Sequence, residues 1–167
     1  MEALRDRQSV RSFRPDPLPL QVLSNLLWAG FGINRPESGR RTAPSAVNWQ
    51  EVEIYLTLPE GAYRYDPRAH RLEPVRAGDL RALTGIVPFV GTAPLNLVYV
   101  ADLAKITRGS EEEKSFYSAI DTGFIAQNVY LFCASEGLAT VVRAQVNKEP
   151  LAQALGEKSH ARVKQRI

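Results

Sequence analysis

The sequence predicts an α+β domain in which helices surround a small, mainly antiparallel sheet. Three observations carry that expectation. Leu20, Leu23, Leu27 and Phe31 recur at helical spacing; Val52, Ile54, Leu56 and Leu58 alternate; and Ser110 stands three residues before Glu113, ahead of a long apolar run. Runs of two periods interleaved in this way fit helices packed on a sheet of sequential hairpins.

Taken in order, PLPLQVLSNLLWAGFG opens with prolines and closes on Gly30 and Gly32, so a helix of about three or four turns ends there. Residues 33–48, INRPESGRRTAPSAVN, lack periodicity and contain Pro, Gly and Ser, which predicts a connecting loop long enough to carry function. EVEIYLTL is a strand. GAYRYDPRAHRLEPV turns at Asp66-Pro67 and returns through Leu72, a hairpin. GDLRALTG is a short helix, and LNLVYVADL is a strand covered on both faces, in the middle of the sheet. The capping box begins a helix through SFYSAIDTGFIAQNVYLFCASEG, apolar nearly all round from Phe124 to Ala134, which calls for cover by other elements or by a second chain. Cys133 within it reads as a core thiol. LATVV is a further short strand. NKEPLAQALG is a last helix, with Asn147 as cap, Pro150 in the first turn and Gly156 past the end.

The 167 residues make one domain, 1–167, with 44% hydrophobic residues to build its core. The net charge is +3, from 21 basic and 18 acidic residues, but the basic residues are scattered and form no stripe with interleaved aromatics. That suits a phosphate-bearing small ligand and points away from nucleic acid. One cysteine allows no internal disulfide, and two distant histidines, His70 and His160, give no metal-ligand spacing. No apolar run is long enough to cross a membrane, and MEALRDRQ has no secretory h-region, so the expected compartment is cytoplasmic.

There is no GxxxxGK[ST], no GxGxxG after a strand and no GxSxG. Two polar clusters remain: Arg7-Gln8-Ser9-Val10-Arg11, and residues 40–48, RRTAPSAVN. Arginine forks match phosphate oxygens, and serine and amide side chains suit hydroxyls and ring carbonyls. Taken bare, each cluster reads first as a solvated loop.

In this order, however, DRQSVRSF resembles the RRSxRxF opening of the FMN-dependent nitroreductase family, and RRTAPSAVNWQEVEIYL is similar to its PSxxNxQ segment. RRTAPSA with GAYRYDPRAHRL looks most like the branch related to azoline dehydrogenases of peptide-antibiotic maturation. TAPLNLVYVADL, IDTGFIAQNVYLFCASEGL and GLATVVRAQV fit the same pattern, so that the resemblance covers about residues 2–156. It implies a nitroreductase-like fold, FMN as cofactor, NADH or NADPH as electron donor, and an interlocked homodimer with the flavin in the interface. Arg7 and Ser9 would hold the phosphate and ribityl end, with Gln8 beside them, and Arg11 the pyrimidine edge. Pro44, Ser45, Ala46 and Asn48 would come from the other subunit, and a backbone amide at Val142 or Arg143 would face flavin N5. The chemistry implied is ping-pong hydride transfer to a nitroaromatic, quinone or similar acceptor, without a catalytic side-chain base. An azoline or heterocycle dehydrogenase, or a flavin-free partner subunit, are the alternatives.

Two positions and the tail depart from the family pattern. Gln8 replaces a basic residue, and Val87 stands where Gln or Asn is frequent. The tail, residues 157–167, lacks the family's VxxxVGYP pattern and is expected to form no strand, so Lys164 and Arg166 match no phosphate ligand.

Overall fold

The computed structural model of the protein describes residues 1–156 and the backbone of residues 161–166. A short helix, α1 (Glu2–Asp6), leads into an extended segment and then α2 (Leu20–Phe31). The segment expected as a plain loop contains a small hairpin, β1 (Ile33–Arg35) with β2 (Arg40–Arg41), followed by a 3-10 turn at Ala46–Asn48. The strands β3 (Val52–Leu58), β4 (Gly61–Asp66) and β5 (Arg71–Ala77) follow. The short helix of GDLRALTG is a 3-10 turn, Arg81–Thr84. After β6 (Asn96–Asp102) come the long helix α3 (Glu111–Ser135), α4 (Lys148–Leu155) and β7 (Ala161–Arg166).

Local signals account for these boundaries. The Ser110 hydroxyl accepts from the Glu113 amide at 3.2 Å while the Glu113 carboxylate accepts from the Ser110 amide at 2.8 Å, so α3 begins with both reciprocal bonds. Asp66 Oδ1 accepts from the amides of Arg68 and Ala69, closing the β4–β5 turn. Gly156, with φ 68°, ends α4 in the left-handed conformation.

The main sheet runs β5-β4-β3-β6-β7, every neighbouring pair antiparallel. The alternation of β3 sends Val52, Ile54 and Leu56 to one face, where Leu23, Leu26, Leu27 and Phe31 of α2 and Ile125, Val129 and Cys133 of α3 cover them. Leu20, placed on that stripe by spacing, is 82% exposed, and Leu26 takes its part. Tyr55, Val98 and Val100 point the other way, against Leu151 and Leu155 of α4, so β3 and β6 are covered on both faces. Gly30 lets α2 approach α3: a Cβ there would lie 3.2 Å from Val129 Cγ2.

Two expectations are corrected. Residues 138–142, LATVV, form no strand, because their polar backbone is satisfied otherwise: the Thr140 carbonyl accepts from the Val10 amide, and the Val142 amide donates to the Tyr130 hydroxyl. The tail, conversely, does form a strand. In β7 Ala161, Arg162, Val163 and Arg166 pair with Asp102, Ala101, Val100 and Val98 of β6. A strand at the edge of a sheet is held by backbone bonds and accepts basic residues readily, so no apolar alternation was needed to specify it.

Candidate functional site

Tyr130 organises one polar group. This residue lies on the buried face of α3, and a buried phenol needs a partner for its hydroxyl. It finds two: Ser9 Oγ at 2.9 Å and the Val142 amide at 2.9 Å. The Arg7 guanidinium lies over the same ring, 5.2 Å from its centre. The bond from Val10 to Thr140 holds the N-terminal segment extended beside residues 138–142, so Arg7, Ser9 and Val142 meet although they are distant in sequence. Arg11, two positions further along that segment, is exposed, and its guanidinium makes no hydrogen bond or ion pair among the described residues. Gln8 lines a cavity beside the same group, with Val10, Tyr130, Cys133 and Leu138.

A second group surrounds Asp121, which accepts a 2.8 Å bond from the Ala46 amide. Ser45 Oγ accepts from the Gln50 amide and donates to Glu51 Oε2 at 3.3 Å, and Asn48 Oδ1 accepts from Gln50 Nε2. Gln50 also accepts from Arg41 Nε at 2.7 Å. Val47, Asn48 and Gln50 all have positive φ, at 51°, 59° and 49°, a conformation that costs a non-glycine residue about 1 kcal/mol or more. The bonds to Asp121, Glu51 and Arg41 are what hold this loop in place. Its outer side, with Pro44, Val47 and Asn48, is exposed.

Glu51 and Asp121 are both buried, and Glu51 Oε1 has no partner. Burial raises the pKa of each carboxyl, and for Glu51 the Asp121 carboxylate adds to it. Each therefore holds its proton more tightly than a carboxyl in water. Cys133 is buried and its thiol is pushed up to about 12, which makes it an inert core residue.

The two groups do not converge within one chain. Asp121 and Tyr130 are nine positions apart on α3, about 13 Å along its axis and two and a half turns round, hence on opposite faces. The outer face of α3 carries an apolar stripe, Phe116, Ile120 and Phe124, spaced by four and exposed to 61%, 39% and 45%.

Sequence patterning does not single out Tyr130, Glu51 or Asp121. The signal available for the first two is a polar group inside an apolar context: a tyrosine in NVYLFC and a glutamate opening a strand. For Asp121 it is a charged residue at a helical position, in IDTG, that packing buries.

The sequence model of the Nitroreductase family matches residues 4–164. A nitroreductase-like protein of Methanocaldococcus jannaschii is 35% identical over 150 residues, 84% of this chain and 75% of that protein. A crystal structure of a nitroreductase-like protein from Ralstonia eutropha superimposes with a TM-score of 0.93 at 43% identity, over 99% of this chain and 79% of the other. The fold also recurs in the Escherichia coli microcin synthetase McbBCD complex, with TM-score 0.80 at 21% identity, over 99% of this chain and 71% of that one.

Proposed function

The chain belongs to the nitroreductase family, a family of flavin-type oxidoreductases, and from that premise we propose that it is an FMN-dependent NAD(P)H oxidoreductase acting as a homodimer. The observation that carries this reading is the split of polar groups between opposite faces of α3. Arg7, Ser9 and Val142 gather at Tyr130, Ala46 and Ser45 at Asp121, and a ligand that needs both sets is reached by two chains more readily than by one. The apolar stripe of Phe116, Ile120 and Phe124 is the surface such a pairing would cover.

The donor set fits a phosphorylated flavin. Arg7 and Ser9 would hold the phosphate and ribityl end, as a charged fork and a hydroxyl do. Arg11, exposed and without a partner of its own, would sit beside the pyrimidine edge and stabilise negative charge there. Pro44, Ser45, Ala46 and Asn48 of the second subunit would close the opposite side, on a loop whose strained backbone is held by Asp121 and Gln50. Either the Val142 or the Arg143 amide would face flavin N5; the Val142 amide already donates to Tyr130, so using it requires the phenol to exchange partners. The chemistry FMN supplies when bound is hydride transfer from NADH or NADPH and onward, in ping-pong order, to an acceptor such as a nitroaromatic or quinone. The protein's part is to bind, orient and neutralise, without a side-chain base.

Colour is the test. The purified protein should be yellow, release FMN on denaturation and bleach when NADH or NADPH is added without oxygen. A colourless protein that ignores added FMN would refute the reading in favour of a flavin-free partner subunit. The RRTAPSA loop and the RYDPRAHRL hairpin favour, as a second reading, oxidation of a peptide-derived azoline by the same bound flavin. Turnover of an azoline peptide with nitroaromatics inert would select it.

A further inference from the structure

A cavity of about 490 Å³ lies between the extended segment of residues 12–19, the start of β6 and residues 137–143. Its walls include Phe13, Leu18, Leu26, Phe89, Leu97 and Val129, and its charged lining residues are Arg14, Asp16 and Arg143. Arg7, Ser9 and Arg11 do not line it.

Arg143 is held in place there by neutral groups. Its Nη1 donates to the Thr84 carbonyl at 3.1 Å and its Nη2 to Asn96 Oδ1 at 2.7 Å, and the guanidinium lies 5.9 Å from the Phe89 ring centre. Asn96 is itself oriented, because its amide nitrogen donates to the Val90 carbonyl at 3.0 Å. Space for the guanidinium depends on Gly85, where a Cβ would collide with Nη1. Arg64 and Arg81 have carboxylate partners at 2.6 and 2.7 Å, whereas Arg143 has none within 4.0 Å among the described residues. Asp16, which also borders the cavity, is taken by Arg14 at 2.9 Å. Burial accordingly depresses the Arg143 pKa to about 10, the sign of a desolvated cation without a counter-ion.

We infer that this cavity is a binding site for a small apolar carboxylate, its acid group on Arg143 and its hydrocarbon part against Phe13, Phe89 and Leu97. The guanidinium keeps donors beyond the two it gives to Thr84 and Asn96, and a carboxylate is the anion that a planar fork takes bidentately. The volume lies in the range of small-molecule sites, and walls that are mainly apolar with one oriented charged group are the usual composition of such sites. A free phosphate would satisfy the cation but leave the apolar wall wet. A neutral aromatic would do the reverse.

The experiment is calorimetric titration of the protein with 1-naphthoate and with its neutral isostere naphthalene-1-carboxamide. The expectation is that naphthoate binds about tenfold tighter or more, the worth of a charge-assisted bond in a partly desolvated place. Arg143→Met should erase that preference while leaving carboxamide affinity unchanged, and Arg143→Lys should restore part of it. Leu18→Trp, which narrows the cavity and leaves the guanidinium alone, should weaken both ligands. Equal affinity for acid and amide in the unmutated protein would overturn the proposal, independently of whether any variant folds. So would displacement of naphthoate by equimolar inorganic phosphate, or an acid preference that survives Arg143→Met. None of these measurements depends on flavin, so their outcome is separate from that of the proposed oxidoreductase activity.

Discussion

Replacing Glu51 by glutamine should stabilise the protein at pH 8 and change little at pH 4.5. Glu51 is 0% exposed, its Oε1 has no partner, and burial raises the pKa of both its carboxyl and that of Asp121. A carboxyl whose folded pKa stands above its unfolded value, near 4.3 for glutamate, holds its proton more tightly when folded. The stability this gives is complete below the unfolded value and is lost as pH rises through the folded one. An amide at position 51 avoids that loss. Its oxygen can still accept from Ser45, and it carries no charge to bury. An unsatisfied buried acceptor costs about 1–3 kcal/mol, so Glu51→Gln should gain about 1–2 kcal/mol at pH 8. For a domain of this size that is about 2–8 °C in Tm. Carboxylates whose pKa is lowered by their partners, Glu73 beside Arg64 and Glu113 at the α3 cap, have the opposite slope and lose stability as pH falls. The readout is therefore the difference between the two proteins' thermal melts from pH 4.5 to 8, at one protein concentration. A variant less stable at pH 8, or a difference constant with pH, would refute the raised pKa of Glu51.

Arg11→Ala should weaken FMN binding and slow flavin reduction; loss of a charge-assisted bond worth about 1.5–3 kcal/mol corresponds to roughly ten- to hundredfold in affinity. Fluorescence titration with FMN measures the first and stopped-flow reduction the second, and no change in either removes Arg11 from the site. Phe124→Asp places a charge in the middle of the exposed stripe on α3. It should shift sedimentation from twice the 18.6 kDa chain mass toward the single chain, whereas a dimer unaffected by the change would place the interface elsewhere.

The elements that short-range chemistry specifies are legible in the amino-acid sequence itself. The stripe of Leu23, Leu27 and Phe31, the reciprocal Ser110–Glu113 cap, the Asp66-Pro67 turn and the glycine after Leu155 each act within a few residues, and each stands in the fold where spacing places it. Of the candidate site, the two polar clusters are visible as residue types, but not what they touch. Tertiary structure alone decides that Ser9 and Val142 share the hydroxyl of Tyr130, and that Asp121 holds Ala46 on the far side of the same helix. It also decides that Ala161–Arg166 pairs with β6 and that LATVV pairs with nothing in a sheet. The physical reason is the same in each case. Periodicity, caps and turns are local energies written in neighbouring side chains, whereas an edge strand is chosen by the backbone groups β6 leaves open, and a buried hydroxyl by whichever distant donors packing brings within about 3 Å.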